Sequence, residues 1–208
     1  MSLAERSGEG WREVTYAETL QQVRALAAGL LARGLNAETP ILVISGNGVD
    51  HGLLSLAAHY VGIPTVPVAE QYSLIPGAQA QLQFIMGLIR PRMVYAVDGE
   101  RFARVLALDE MAGLDVVVSR NPGSGQTPFG ELLEGGGDVD EAAAKVGPDS
   151  VVKILLTSGS TSSPKGVLTT HRMMCANQAQ IADALPFLRD RPPRIVDWLP
   201  WNHVFRGS

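Results

Sequence analysis

The sequence predicts an α/β fold, a mainly parallel sheet flanked by helices, on three observations. Short β-branched, apolar runs alternate with segments of helical periodicity along most of the chain. The 22 glycines and 13 prolines imply many turns, which suits an α/β protein and not a helical bundle. With 46% hydrophobic and 18% charged residues in 208, the chain can bury one sizeable core.

Taken in order, residues 13–16 (Glu-Val-Thr-Tyr) read as a short strand. Residues 17–33 are the clearest helix: Leu20, Val23, Ala27, Leu30 and Leu31 fall on one face, and Gly34 follows as a stop. Residues 41–44 (Ile-Leu-Val-Ile) form a buried strand closed by Ser45-Gly46-Asn47-Gly48. Gly46-Asn47 after a strand invites reading as an anion site, but an ordinary tight turn is the simpler expectation. A helix over residues 49–61, a strand over 65–68, a helix over 78–89 ended by Pro91, and strands over 93–97 and 114–118 with a helix between them (102–108) complete the alternation. Residues 121–147 contain Asn-Pro-Gly-Ser-Gly, Thr-Pro and Gly-Gly-Gly. They read as a surface connection with weak helices near 129–133 and 139–145. The last long helix is expected over residues 172–185, closed by Pro186.

Two motifs carry chemistry. In residues 155–167 an apolar run (Val151, Val152, Ile154, Leu155, Leu156) feeds Thr157-Ser158-Gly159-Ser160-Thr161-Ser162-Ser163-Pro164-Lys165-Gly166. A second β-type run (Val167, Leu168, Thr169, Thr170) follows, so the pair predicts a hairpin. Its loop offers backbone N–H groups, several hydroxyls and one ammonium, an inventory suited to a polyphosphate. It is not a Walker A loop: Pro164 stands where the second glycine is required, and Gly166 where the magnesium-holding hydroxyl belongs. The kinase pattern G-x-G-x-x-G does not occur. A Ser/Gly-rich linker is the competing reading, but linkers are seldom wedged between two apolar β-type runs. Near the C-terminus, residues 195–207 carry a strand-like apolar run ending at Pro200. An aromatic, amide and imidazole cluster accompanies it: Trp198, Trp201, Asn202, His203 and Phe205. Rings supply flat apolar walls, while Asn and His supply directed hydrogen bonds.

The pattern T-S-G-S-T-x-x-P-K-G resembles the phosphate-binding loop of the adenylate-forming superfamily of acyl-CoA synthetases, luciferases and peptide-synthetase adenylation domains. The second motif is similar to the acyl-pocket motif of feruloyl-CoA synthetases in that superfamily. The chain departs from the usual pattern at Ser162, where glycine is common, and at Val204 and Arg206. The resemblance implies ATP-dependent activation of a carboxylate, with ATP, Mg²⁺ and coenzyme A used by the full-length enzyme and an aromatic or hydroxycinnamic acid such as ferulate as substrate. It implies that Lys165 and Thr161 act in catalysis, and that Thr157, Ser158, Gly159, Ser160, Thr161, Ser162, Lys165 and Gly166 bind the nucleotide. Trp201, Asn202, His203 and Phe205 would bind the acyl substrate, and no resident metal site is implied. It further implies that residues 1–208 are a partial N-terminal AMP-binding domain without the rest of the large domain or the lid. Such a piece is expected to be inactive alone and to associate through exposed apolar surface. The alternatives are a non-catalytic nucleotide- or polyphosphate-binding module, or a structural remnant of the fold.

Bulk properties narrow the partners. Net charge is −4 with no basic block, which gives nucleic-acid binding no electrostatic support. No apolar stretch reaches the ~20 residues of a membrane span. The lone Cys175 excludes an internal disulfide and suits a reducing cytoplasm.

Overall fold

The computed structural model describes residues 2–75, 77–157, 164–190 and 194–202. An antiparallel hairpin, β1 (Leu3–Ser7) and β2 (Gly10–Val14), precedes helix α1 (Tyr16–Ala32). The alternation then runs β3 (Ile41–Ile44), α2 (Val49–Tyr60), β4 (Thr65–Pro67), α3 (Gln71–Leu74), α4 (Gln79–Ile89), β5 (Met93–Asp98), α5 (Ala103–Leu106), β6 (Asp115–Arg120), β7 (Thr127–Pro128), α6 (Phe129–Leu133) and α7 (Asp140–Ala144). It ends in the hairpin β8 (Val151–Thr157) and β9 (Lys165–Thr170), then α8 (His171–Ala184) and α9 (Phe187–Asp190). The main sheet has the order β7-β6-β5-β3-β4-β8-β9, parallel throughout except for the antiparallel β8–β9 pair at one edge.

The period of two along each strand builds a core on both faces. Ile41, Val43, Met93, Tyr95 and Val117 join α1, α2 and α6 on one face. Leu42, Ile44, Val94, Ala96, Val116 and Val118 join α4 and α5 on the other. The predicted α/β class with a mainly parallel sheet is the observed one.

Several local expectations are corrected. Tyr16 belongs to α1 and not to a strand, because Thr15 forms a capping box: its hydroxyl oxygen accepts from the Glu18 N–H at 3.2 Å while Glu18 accepts from the Thr15 N–H at 2.8 Å. Losing this cap in Thr15→Ala is expected to cost about 1 kcal/mol, read by chemical denaturation. On α1 the inward stripe is Thr19, Val23, Leu26, Leu30; Leu20 lies beside it and is 58% exposed. Residues 121–147 are more than a surface connection. β7 extends the sheet beside β6, and α6 buries Phe129 and Leu132, with the Phe129 ring edge-on to Tyr95 at 5.7 Å. The apolar run at 195–199 is not a strand: it finds no partner among the described residues, and Ile195, Val196 and Trp198 face outward.

Candidate functional site

The hairpin is longer than its apolar pattern suggests. Pairing continues past Leu155↔Val167 to Thr157↔Lys165, so Thr157, Lys165 and Gly166 are strand residues at the base of the loop and not loop residues. The Thr157 hydroxyl lies 3.5 Å from the Lys165 carbonyl oxygen. Gly166 sits where a Cβ would come 3.0 Å from Ile154, so the close pairing favours glycine there. Lys165 is exposed, and its ammonium meets no acceptor among the described residues. Pro164 is buried and anchors the return strand. Ser158, Gly159, Ser160, Thr161 and Ser162 lie outside the described residues, as do His203, Val204, Phe205 and Arg206.

Because β8 runs parallel to β4, and β4 parallel to β3, Thr157 stands at the same carboxyl edge of the sheet as Ser45 and Val68. Two strand spacings, roughly 10 Å, separate the ends of β3 and β8. The chain leaves β3 toward β4 and leaves β5 toward β6, so the topology reverses beside β3. Open α/β sheets place ligands outside that edge. A cleft of about 470 Å³ opens there, lined by Ser45, Asn47, Glu70, Gln71, Trp198 and Asn202, among others. The second motif therefore reaches the carboxyl edge too: Asn202 lines the cleft, and Trp201 packs behind it.

Trp201 is held on three sides. Its ring meets His51 edge-on at 5.0 Å, and its Nε1–H donates to Asp197 Oδ2 at 2.8 Å. Its backbone N–H donates to Asn47 Oδ1 at 3.1 Å, and Asn47 Nδ2 donates to the Leu199 carbonyl at 2.8 Å. Gly52 of α2 lies beneath the ring, where an added Cβ would be in ordinary contact with it at 3.5 Å. The turn at Gly46-Asn47-Gly48 is no anion site. Glu5 of β1 already accepts from the Val49 N–H at 2.9 Å, occupying the start of α2, and Arg12 binds both Glu5 and Asp50. Asn47 and His51 were not assigned a site role by sequence reasoning; the Gly-Asn-Gly turn was the only signal.

His51 donates from Nδ1 to the Gly46 carbonyl at 3.0 Å; His59 lies 3.0 Å from the Thr65 hydroxyl. Burial lowers the pKa of His51 from 6.5 to about 4 and that of His59 to about 3, so both rings are neutral. These folded values lie below the unfolded one, so the unfolded chain takes up protons first as pH falls. Stability is fully present above about pH 6.5 and declines as the pH drops through that value toward the folded pKa values. Denaturation at about pH 7.5 and about pH 5 is expected to show lower stability at the acid value, with a smaller difference in His51→Gln.

At the base of the loop the described residues offer the Thr157 hydroxyl and the Lys165 ammonium, which meets no carboxylate among the described residues. Among the described residues no group of three or more His, Cys, Asp or Glu side chains could hold a metal ion. No helix of the described residues is long and apolar enough to cross a membrane.

A family model described as AMP-binding enzyme matches residues 3–207. The chain is 27% identical over 199 residues to a long-chain-fatty-acid–CoA ligase of Mycobacterium bovis, covering 93% of this chain and 32% of the relative. It is 26% identical over 199 residues to an indoleacetate–CoA ligase of Aromatoleum aromaticum, covering 93% and 36%. Among solved structures, a fatty acyl-adenylate ligase from L. pneumophila in complex with acyl adenylate and pyrophosphate superposes with a TM-score of 0.70 at 18% identity. That match covers 98% of this chain and 33% of that one, and it shows the fold. The chain thus spans about a third of the length of the curated relatives it matches.

Proposed function

Because this chain belongs to the AMP-binding enzyme family, we propose that it carries the polyphosphate-gripping part of an ATP-dependent carboxylate-activating enzyme, an acid–thiol ligase. In that reaction a carboxylate oxygen attacks the α-phosphorus of ATP, giving an acyl-adenylate and pyrophosphate. The thiolate of coenzyme A then attacks the acyl carbon and displaces AMP. The mixed anhydride supplies the leaving group that a carboxylate lacks. Ser158, Ser160 and Thr161 donate to phosphate oxygens, with Thr157, Gly159, Ser162 and Gly166 shaping the loop. Lys165 adds positive charge as pyrophosphate departs, a role of charge stabilisation and positioning. His203 and Phe205 border the acyl group, with Trp201 as a supporting wall and Asn202 as a hydrogen-bonding group.

The observation that carries this reading is the hairpin register, which sets Thr157 opposite Lys165 at the base of the hydroxyl-rich loop, on the carboxyl edge of the sheet. The two relatives compared act by name on a long-chain fatty acid and on indoleacetate, so the acyl group is not fixed by likeness. The aromatic walls Trp198 and Trp201 favour a planar acid of the hydroxycinnamate type, such as ferulate. The 208-residue chain alone is inactive in this account and self-associates through exposed Val167 and Leu168 of β9 and Met173 and Ile181 of α8.

The test supplies Mg²⁺, ATP and coenzyme A with ferulate, benzoate, indoleacetate or a long-chain fatty acid. This chain is expected to bind ATP without forming a thioester. A longer chain carrying the family's remaining segments is expected to form feruloyl-CoA in preference to the fatty acyl product. Thioester formation by the 208-residue chain, or preference of the longer one for the fatty acid, would contradict the respective part.

A further inference from the structure

Residues 194–202 carry no regular secondary structure, and no backbone group in them bonds to backbone elsewhere among the described residues. Among the described residues, a side chain of the β3 loop ties their backbone to the sheet. Asn47, on the loop after β3, donates to the Leu199 carbonyl at 2.8 Å and accepts from the Trp201 N–H at 3.1 Å. A primary amide is the side chain that presents a donor and an acceptor side by side, matching the C=O and N–H groups two residues apart in an extended segment. Around this clamp the contacts converge: His51 stands edge-on to the Trp201 ring, and Trp201 Nε1–H reaches Asp197. Trp198, Pro200 and Asn202 then face the cleft opposite Ser45, Glu70 and Gln71.

We propose that Asn47 is a positioning residue for the acyl-facing segment: its amide sets the register of residues 199–201 against the β3 loop and thereby places Trp198 and Asn202 along the cleft. Asn47 touches neither reacting group in this scheme. It acts through the segment it holds, and through that segment it fixes the cleft's width. The inference rests on the acyl-facing role given to that segment above.

The first measurement needs no variant. Amide exchange of Trp201 in the unmodified chain is expected to be slowed roughly tenfold relative to an unstructured peptide, because its N–H is engaged. The second uses a chain with Trp11→Phe and Trp198→Phe, leaving Trp201 as the sole indole fluorophore. Asn47→Leu, which removes donor and acceptor together, is expected to red-shift the emission and raise acrylamide quenching roughly twofold, while the far-UV melting transition of the sheet stays in place. Asn47→Asp keeps an oxygen for the Trp201 N–H but sets another against the Leu199 carbonyl, so an intermediate quenching value is expected. Trp201 exchanging at the unstructured rate, or emission and quenching unaltered in Asn47→Leu, would overturn the proposal. If Asn47→Leu does not fold, the exchange measurement on the unmodified chain decides alone. Neither readout uses ATP or a carboxylate, so failure of the proposed activity and failure of the clamp are separate results.

Discussion

Lys165→Ala is expected to weaken pyrophosphate binding by roughly tenfold to a hundredfold, the equivalent of about 1.5–3 kcal/mol for a charge-assisted hydrogen bond. Lys165 heads β9 with an exposed ammonium that meets no carboxylate among the described residues, so its charge remains available to a ligand. For the same reason the substitution removes little from the fold, and a stability change within about 0.5 kcal/mol is expected. Isothermal titration with Mg·pyrophosphate, run beside chemical denaturation, separates the two effects. Equal affinity in the two chains would remove Lys165 from the phosphate site, whatever the stability shows.

Gly29→Val is expected to damage the scaffold severely. In α1, a Cβ at position 29 would collide with the backbone carbonyl oxygen of Leu132 at the end of α6. Gly135 makes the reciprocal approach, its own Cβ position falling on the backbone of Gly29. Neither obstruction is a flexible side chain, so the helices would have to separate and uncover Leu132 and Phe129, both buried against the sheet. Overpacking of this kind costs about 3 kcal/mol. The expected result is a marked fall in the denaturation midpoint with an unchanged slope. A midpoint equal to that of the parent chain would show that α6 is not seated where the structure places it.

How far these features could be read from the sequence depends on the range over which each is determined. The Ile41–Ile44 strand is apolar at every position, and burial on both faces is what such a run predicts in a parallel sheet. The β1 strand, Leu-Ala-Glu-Arg-Ser, has no such run: it exists by pairing with β2, and Glu5 serves the distant start of α2. Residues 195–199 show the converse. Their composition suits a strand, but a strand needs a partner edge, and none of the described strands pairs with them. The α6 helix was expected as a weak surface helix, but its burial was not, because it depends on two glycines, Gly29 and Gly135, whose mutual approach leaves no local pattern.

The site divides in the same way. The chemistry proposed for the hydroxyl-rich loop rests on residue type, while the hairpin expected around it is present as β8 and β9, with the pairing extended to Lys165. Asn47 and His51 acquire meaning only from Leu199 and Trp201, about 150 residues away along the chain, a separation of 152 for the first hydrogen bond. No local spacing rule reaches that far. The turn itself, Gly46-Asn47-Gly48, was visible, and its apparent readiness for an anion is cancelled by a carboxylate from the opposite end of the chain.

The central claim, that the bend between Thr157 and Lys165 is built to hold pyrophosphate, is tested most directly by backbone amide exchange of the 208-residue chain with and without Mg·pyrophosphate. Slowed exchange concentrated in residues 157–166 is expected, together with its disappearance in Lys165→Ala at the same ligand concentration. Exchange across that stretch left unchanged by saturating pyrophosphate, or protection appearing elsewhere on the sheet instead, would contradict it.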